Sequence, residues 1–232
     1  MQDFSAYQAF ATEKLGNTFT NPELLVTAFT HRSYVNEHRK TAKEHNERLE
    51  FLGDAVLELV VTEHLYGKYN DPEGILTNWR SALVRTESIS AAANTHGFEP
   101  LLRLSRGEKR GTIRARAQIL ANAYEAVVGA LYLDQGYDAA KRFIETSLLV
   151  TFDEILKTGS WMDPKSHLQE IVQSKDGFTP QYKVLEEEGP DHEKTFTVGV
   201  YVDGELKGQG VGPSKQAGQV AAAEAALKHY QN

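Results

Sequence analysis

The chain has 232 residues, 41% hydrophobic and 9% aromatic, with 7 Pro and 18 Gly, a composition that supports packed cores in one large domain or two modest ones and excludes a disordered or collagenous chain. Its 25 Lys and Arg against 32 Asp and Glu give a formal net charge of −7, so a surface for a polyanion would require local segregation of charge. With no cysteine, disulfide scaffolds, thiolate catalysis and Cys-based metal sites are excluded. No apolar run is long enough to cross a bilayer, and Met1 to Phe10 lacks the basic and apolar regions of a secretory signal. The expectation is a soluble, cytoplasmic enzyme or binding protein.

Residues 1 to 155 show apolar spacings of three and four, which predict helix after helix. Asn21-Pro22 supplies a cap and a first-turn proline ahead of Glu23-Leu24-Leu25-Val26. Gly67, Asp71-Pro72-Glu73-Gly74, Gly111 and Asp134-Gln135-Gly136-Tyr137 punctuate the pattern. A polar stretch follows, predicting a domain at 1–156, a linker at 157–161 and a second domain at 162–232. In the second domain, a helix over Pro164 to Ser174 precedes alternating segments at Pro180 to Glu187, Thr195 to Val202 and Leu206 to Val211, with Asp203-Gly204 as a hairpin turn. An Ala-rich helix, Ser214 to Tyr230, ends the order α-β-β-β-α. The fold class is thus an all-α domain followed by a small α+β domain.

The chemistry-bearing stretch is His45 to Leu57. On a helix, Glu47, Glu50 and Asp54 share a sector of about 60°, while Leu49, Leu52, Val56 and Leu59 lie towards other sides and can pack, so the helix is otherwise committed to a core. Glu58 prolongs the stripe as a bystander. A second helix places Asn122 and Glu125 three residues apart among apolar neighbours, where a lone Glu is costly to bury unless paired or holding a cation. These acids are either solvated faces and partners for Arg48 and its neighbours, or an all-oxygen site for Mg²⁺ in which carboxylates on facing helices hold a hard cation against a phosphate. Spacing alone leaves both open.

The run NERLEFLGDAVL (46–57), with THRSY (30–34) and ILANAYEAVVGALYLD (119–134), resembles the signature segments of the ribonuclease III family. The α-β-β-β-α segment is similar to the double-stranded RNA-binding domain that follows the nuclease domain in bacterial members. The resemblance implies a homodimeric, all-helical endonuclease domain that hydrolyses both strands of duplex RNA to 5′-phosphate and 3′-hydroxyl ends, processing ribosomal RNA precursors and structured transcripts. It implies Mg²⁺ as cofactor, with Mn²⁺ as substitute, and neither a membrane nor a small-molecule organic cofactor. It carries metal ligation to Glu50, Asp54, Asn122 and Glu125, with Asp54 and Glu125 essential for catalysis. Glu47 and Glu73 match outer acids that handle substrate, and Phe51 matches an aromatic dimer contact. The family usually has Asp where this chain has Asn122, which keeps a carbonyl oxygen but loses a charge. The alternative expectation is therefore a cleavage-impaired duplex-RNA-binding protein, and a structural role in a ribonucleoprotein is a further rival.

Between Arg103 and Arg116, six basic residues face one acid, Glu108, a candidate phosphate-contacting patch. In the second domain the resemblance assigns RNA contacts to Gln169 and Gln173 on the first helix, with Glu170 beside them. It adds His192 in the loop Glu188 to Glu193, and Ser214 and Lys215 at the last helix's N-terminus. Residues 161–232 hold seven basic and eleven acidic residues, and Gln216, Gly218 and Gln219 stand where relatives are commonly more basic, so modest affinity is expected.

Overall fold

A computed structural model describes residues 4–16, 18–159, 161–190 and 194–230. The chain forms two compact units, 1–155 and 156–232.

In the first unit the helices are α1 (Ser5–Lys14), α2 (Pro22–Ala28), α3 (Arg32–Glu37), α4 (Glu47–Lys68), α5 (Glu73–Val84), α6 (Thr86–Thr95), α7 (Ile113–Gln135) and α8 (Tyr137–Ser147), and α9 (Phe152–Thr158) carries the chain into the predicted linker. The expected start of α2 forms as its residues dictate: Asn21 Oδ1 accepts from the Glu23 amide at 3.2 Å and Pro22 occupies the first turn. Asp134 anchors the same corner, its carboxylate accepting from the Thr20 and Asn21 amides at 2.9 and 2.8 Å. Between α7 and α8 the predicted turn contracts to Gly136, whose φ of +82° suits glycine.

Helix α7 is the axis of this unit. From Ile119 to Leu131 nearly every side chain is buried, the exceptions being Asn122 and Glu125. Aromatic rings of Phe10, Phe29, Phe98, Tyr124 and Phe143 pack around it at centroid separations of 5.1 to 6.4 Å, the offset and edge-on geometry aromatic pairs prefer. Tyr124, fully buried, satisfies its hydroxyl with Ser147 Oγ at 2.6 Å, as a buried polar group must.

THRSY serves as a staple. Thr30 bridges Arg103, with His31 N donating to the Arg103 carbonyl at 3.1 Å and Arg103 N to the Phe29 carbonyl at 2.8 Å. The Thr30 carbonyl then accepts from the Asn46 amide at 2.9 Å, which sets where α4 begins. His31 caps α3 by accepting from the Ser33 amide at 3.2 Å.

The second unit has α10 (Pro164–Asp176), strands β1 (Gln181–Glu188), β2 (Thr195–Val202) and β3 (Glu205–Gly212), and α11 (Lys215–Tyr230). The sheet is antiparallel in the order β1-β2-β3. Asp203 and Gly204 turn with φ of +50° and +79°, the paired positive values of a two-residue hairpin. Val198, Val200 and Val202 of β2 form the core with Leu168, Val172 and the Ala222, Ala223 and Ala226 row. Small residues matter on both sides: a Cβ at Gly208, Gly210 or Gly212 would overlap α11, so the strand lies directly against the helix backbone.

Candidate active site

Helices α4 and α7 are the most extensively packed pair of the first unit, and glycine explains how closely they meet. A Cβ at Gly53 would overlap the Glu125 carbonyl, and one at Gly129 would overlap the Leu49 carbonyl. With both backbones in contact, side chains flanking the crossing are forced into one another's electrostatic reach. These are Glu47, Glu50 and Asp54 from α4, and Asn122 and Glu125 from α7.

Of these acids, Glu50, Asp54 and Glu125 have no compensating Lys or Arg among the described residues. Glu125, half-buried, has its carboxyl pushed up to about 8, first by burial and then by the charges of Asp54 and Glu50. Glu50 is also raised, by burial and then by Glu47, with hydrogen bonding from the Asn122 side chain opposing the rise and Asp54 adding to it. Among the described residues, no Lys or Arg pairs with Glu50, Asp54 or Glu125. Nor do three His, Asp or Glu side chains already converge on one metal position. The donor set nevertheless fits a hard divalent cation: it is all oxygen, negative and concentrated, and burial together with the charges of Asp54 and Glu50 raises its innermost carboxyl, a cost that a cation would offset.

The remaining predicted acids are placed differently. Glu47 is exposed, 3.4 Å from Arg32 Nη1 and 3.8 Å from His45 Nδ1, so its charge is partly answered. Glu73 sits in the first turn of α5 and accepts from Thr77 Oγ1 at 3.3 Å; its charge is not among those raising Glu50 or Glu125. Glu58, the bystander, pairs with Arg80 Nε at 3.2 Å. Phe51 is not core, since 82% of it is exposed. Leu59, expected to pack with Leu49 and Val56, is instead 56% exposed because it turns to the side of α4 away from α7, where it lies with Phe51 and Tyr66, the latter 82% exposed, in an open apolar stripe.

The basic segment is smaller than its count suggests. Arg103 donates to Thr30 Oγ1 at 3.2 Å and lies 4.4 Å from the centre of the Tyr34 ring, and Arg116 pairs with Glu99 at 3.1 Å. Both are structural. Arg106, Lys109, Arg110 and Arg114 remain exposed, a patch of four cations instead of six.

In the second unit Gln169, Glu170 and Gln173 are exposed along α10 and line one shallow groove with Ser166 and Ser174. Ser214 Oγ accepts from the Ala217 amide at 3.1 Å, and Lys215 is exposed with Nζ 5.7 Å from the Phe196 ring. His192 lies outside the described residues. One contact was not legible in the sequence: Lys165 of α10, 5.1 Å from the centre of the Tyr182 ring, donates to Gln219 Oε1 of α11 at 2.7 Å and so ties the two helices together. Two further features escaped the linear pattern. Gly53 and Gly129 carried a signal as lone glycines inside apolar helices, whereas Gln118, whose Nε2 donates to Asn122 Oδ1 at 2.7 Å, carried only its one-turn spacing.

Both units resemble known proteins. A family described as Ribonuclease-III-like matches residues 21–152, and the Double-stranded RNA binding motif matches residues 164–230. Ribonuclease 3 of Enterococcus faecalis is 46% identical over 220 residues, 93% of this chain and 94% of that protein. Ribonuclease 3 of Geobacillus kaustophilus is 48% identical over 219 residues, 93% and 87% respectively. Among solved structures, the nuclease domain of ribonuclease III from Campylobacter jejuni, described with a flexible region involved in dimer formation, matches with a TM-score of 0.53 and 37% identity. It spans 60% of this chain and 96% of that domain. With a nuclease family that matches more than half of the chain, an RNA-binding motif after it, and relatives 46% and 48% identical over 93% of its length, the chain belongs to the ribonuclease III family.

Proposed function

We propose that the chain is a divalent-metal-dependent endoribonuclease that hydrolyses both strands of duplex RNA, leaving 5′-phosphate and 3′-hydroxyl ends, with ribosomal RNA precursors and structured messengers as substrates. The observation that carries the reading is the close crossing of α4 and α7 at Gly53 and Gly129, beside which Glu125 is half-buried with no Lys or Arg ion pair to it among the described residues.

Glu50 and Glu125 hold Mg²⁺ or Mn²⁺ from opposite helices, with Asp54 and Glu125 as the catalytic acids and Asn122 on the same rim. Once bound, the cation supplies charge neutralisation at the scissile phosphate and acidifies the attacking water. Half-buried beside the apolar residues of α7, Glu125 is raised to about 8, so near neutral pH a bound cation would favour loss of its proton and binding would be coupled to proton release. Asp54 is exposed and is the acid best placed to meet the RNA backbone. Glu47 and Glu73 act further out in substrate handling.

Phe51 and the stripe on α4 are buried by a second copy of the chain, giving two clusters related by a twofold axis, one for each antiparallel strand. Gln169 and Gln173 meet ribose 2′-hydroxyls in the minor groove, His192 reaches a second minor groove, and Ser214 and Lys215 meet phosphates. Selection of RNA over DNA follows from A-form shape and the 2′-hydroxyl.

The test is cleavage of a long duplex RNA across Mg²⁺ and Mn²⁺ concentrations, with end-group analysis, for this chain and for Asn122→Asp and Glu125→Ala. Cutting by this chain, lost in Glu125→Ala, supports the reading. Uncut RNA at ample Mn²⁺ with cutting restored by Asn122→Asp makes this chain a duplex-binding, cleavage-impaired protein.

A further inference from the structure

Helix α10 packs on α11 through Leu168 and Val172 against Ala222, Ala223 and Ala226. An alanine row is a shallow surface, so this apolar contact sets how far apart the helices stand and resists sliding only weakly. Polar ties close both ends of it. At the start of each helix, Lys165 Nζ donates to Gln219 Oε1 at 2.7 Å and lies 5.1 Å from the centre of the Tyr182 ring of β1. At their ends, Lys175 Nζ donates to the Tyr230 carbonyl at 2.9 Å, and Tyr230 Oη donates to Asp176 Oδ2 at 2.7 Å. Start meets start and end meets end, so the two helices run in the same direction, and two ties ten residues apart on α10, about 15 Å, fix both slide and angle. The first tie falls one turn from Gln169 on α10 and one turn from Lys215 on α11, between the groups proposed to meet ribose and phosphate.

We propose that Lys165 is a positioning residue for duplex binding: through Gln219 it pins α10 to α11 where Gln169 and Lys215 stand, so that a ribose contact and a phosphate contact meet one duplex in register. The inference rests on Gln169 and Lys215 being the RNA contacts proposed above. Lys165 is half-buried, its ammonium held between the Gln219 amide and the Tyr182 ring, so it acts on the geometry of the surface and not as a further cation on a phosphate. With the tie removed, α10 drifts over the alanine row, the conformer that matches both grooves becomes a fraction of the population, and the apparent affinity falls by that fraction.

The experiment is a mobility-shift titration of the full chain with a duplex RNA, in chelator so that the RNA stays uncut, across a series of KCl concentrations. The proteins are the wild type, Lys165→Met, Lys165→Arg, Gln219→Ala, the double variant Lys165→Met with Gln219→Ala, Gln169→Ala and Lys215→Ala. Lys165→Met keeps the apolar stem and loses the donor; it is expected to weaken binding about fivefold, the scale of one hydrogen bond, with the salt slope of the wild type. Lys165→Arg, which can still donate to Gln219, is expected to bind as the wild type does. The double variant is expected to bind no more weakly than Gln219→Ala alone, because Lys165 then has nothing to act through. Unchanged affinity in Lys165→Met overturns the proposal. So does a salt slope lowered by about 1, the mark of a lost phosphate contact, and so does a further loss in the Gln219→Ala background. Failure of Lys165→Arg together with Lys165→Met, the sign of a general loosening of the unit, overturns it as well. If Gln169→Ala and Lys215→Ala both bind as tightly as the wild type, the contacts themselves are refuted and the tie has nothing to align, a result distinct from the other four.

Discussion

Replacing Glu125 by Gln keeps the shape of the side chain and removes its titration, and the consequence for stability follows from the site's electrostatics. In the cation-free protein this carboxyl is raised from an ordinary value of 4.5 to about 8, whereas in the unfolded chain it titrates normally. Below pH 4.5 both states keep the proton and the wild type carries no penalty. Between there and about pH 8 the unfolded chain has lost the proton and the folded chain still holds it, so stability falls as pH rises and levels off above the folded value. At about 1.4 kcal/mol per pH unit the full interval sets an upper limit of about 5 kcal/mol. Solvent reaches the rim and the side chains relax, leaving on the order of 2 kcal/mol. Glu125→Gln is therefore expected to match the wild type near pH 5 and to exceed it at pH 8 by roughly 4–8 °C in melting temperature for a unit of this size. The assay is thermal unfolding followed by circular dichroism from pH 5 to 9 in chelator, repeated with Mg²⁺, which should raise the wild type and leave the variant unmoved. A difference between the two proteins that stays flat from pH 5 to 8.5, or a variant less stable at pH 8, would refute the reasoning.

Other expectations are as concrete. Gly53→Ala places a methyl group on the Glu125 carbonyl and should cost about 2 kcal/mol or more by forcing α4 from α7, with cleavage falling further than stability; a melting curve and a cleavage rate equal to wild type would contradict the close crossing. Phe51→Asp alters a side chain that is 82% exposed in the single chain, so it should leave helical content intact while shifting sedimentation from dimer to monomer. Lys215→Ala should weaken binding of duplexes of any sequence and lower the salt slope by about 1, whereas unchanged affinity in a mobility-shift titration would remove the α11 end from the interface.

Much of the architecture follows from local chemistry. Asn21-Pro22 starts α2, Asp203-Gly204 turns the hairpin, and the period of apolar residues separates a helical unit from an α-β-β-β-α unit, because capping, positive φ and amphipathic period are properties of a few adjacent residues. The acids of the site were legible as a helical stripe and a lone Glu in an apolar run. What they do to one another was not. That Glu50, Asp54 and Glu125 share a field depends on Gly53 and Gly129 letting two backbones touch, a fact about a crossing between residues 71 or more apart in the chain. The same holds for the cations. Arg103 and Arg116 count as patch residues in the sequence, yet tertiary partners at Thr30, Tyr34 and Glu99 consume them, while Lys165 reaches Gln219 from another helix. Sequence specifies which groups exist and which local segment holds them; only packing decides which charges stand close enough, in a poorly solvated enough place, to act together.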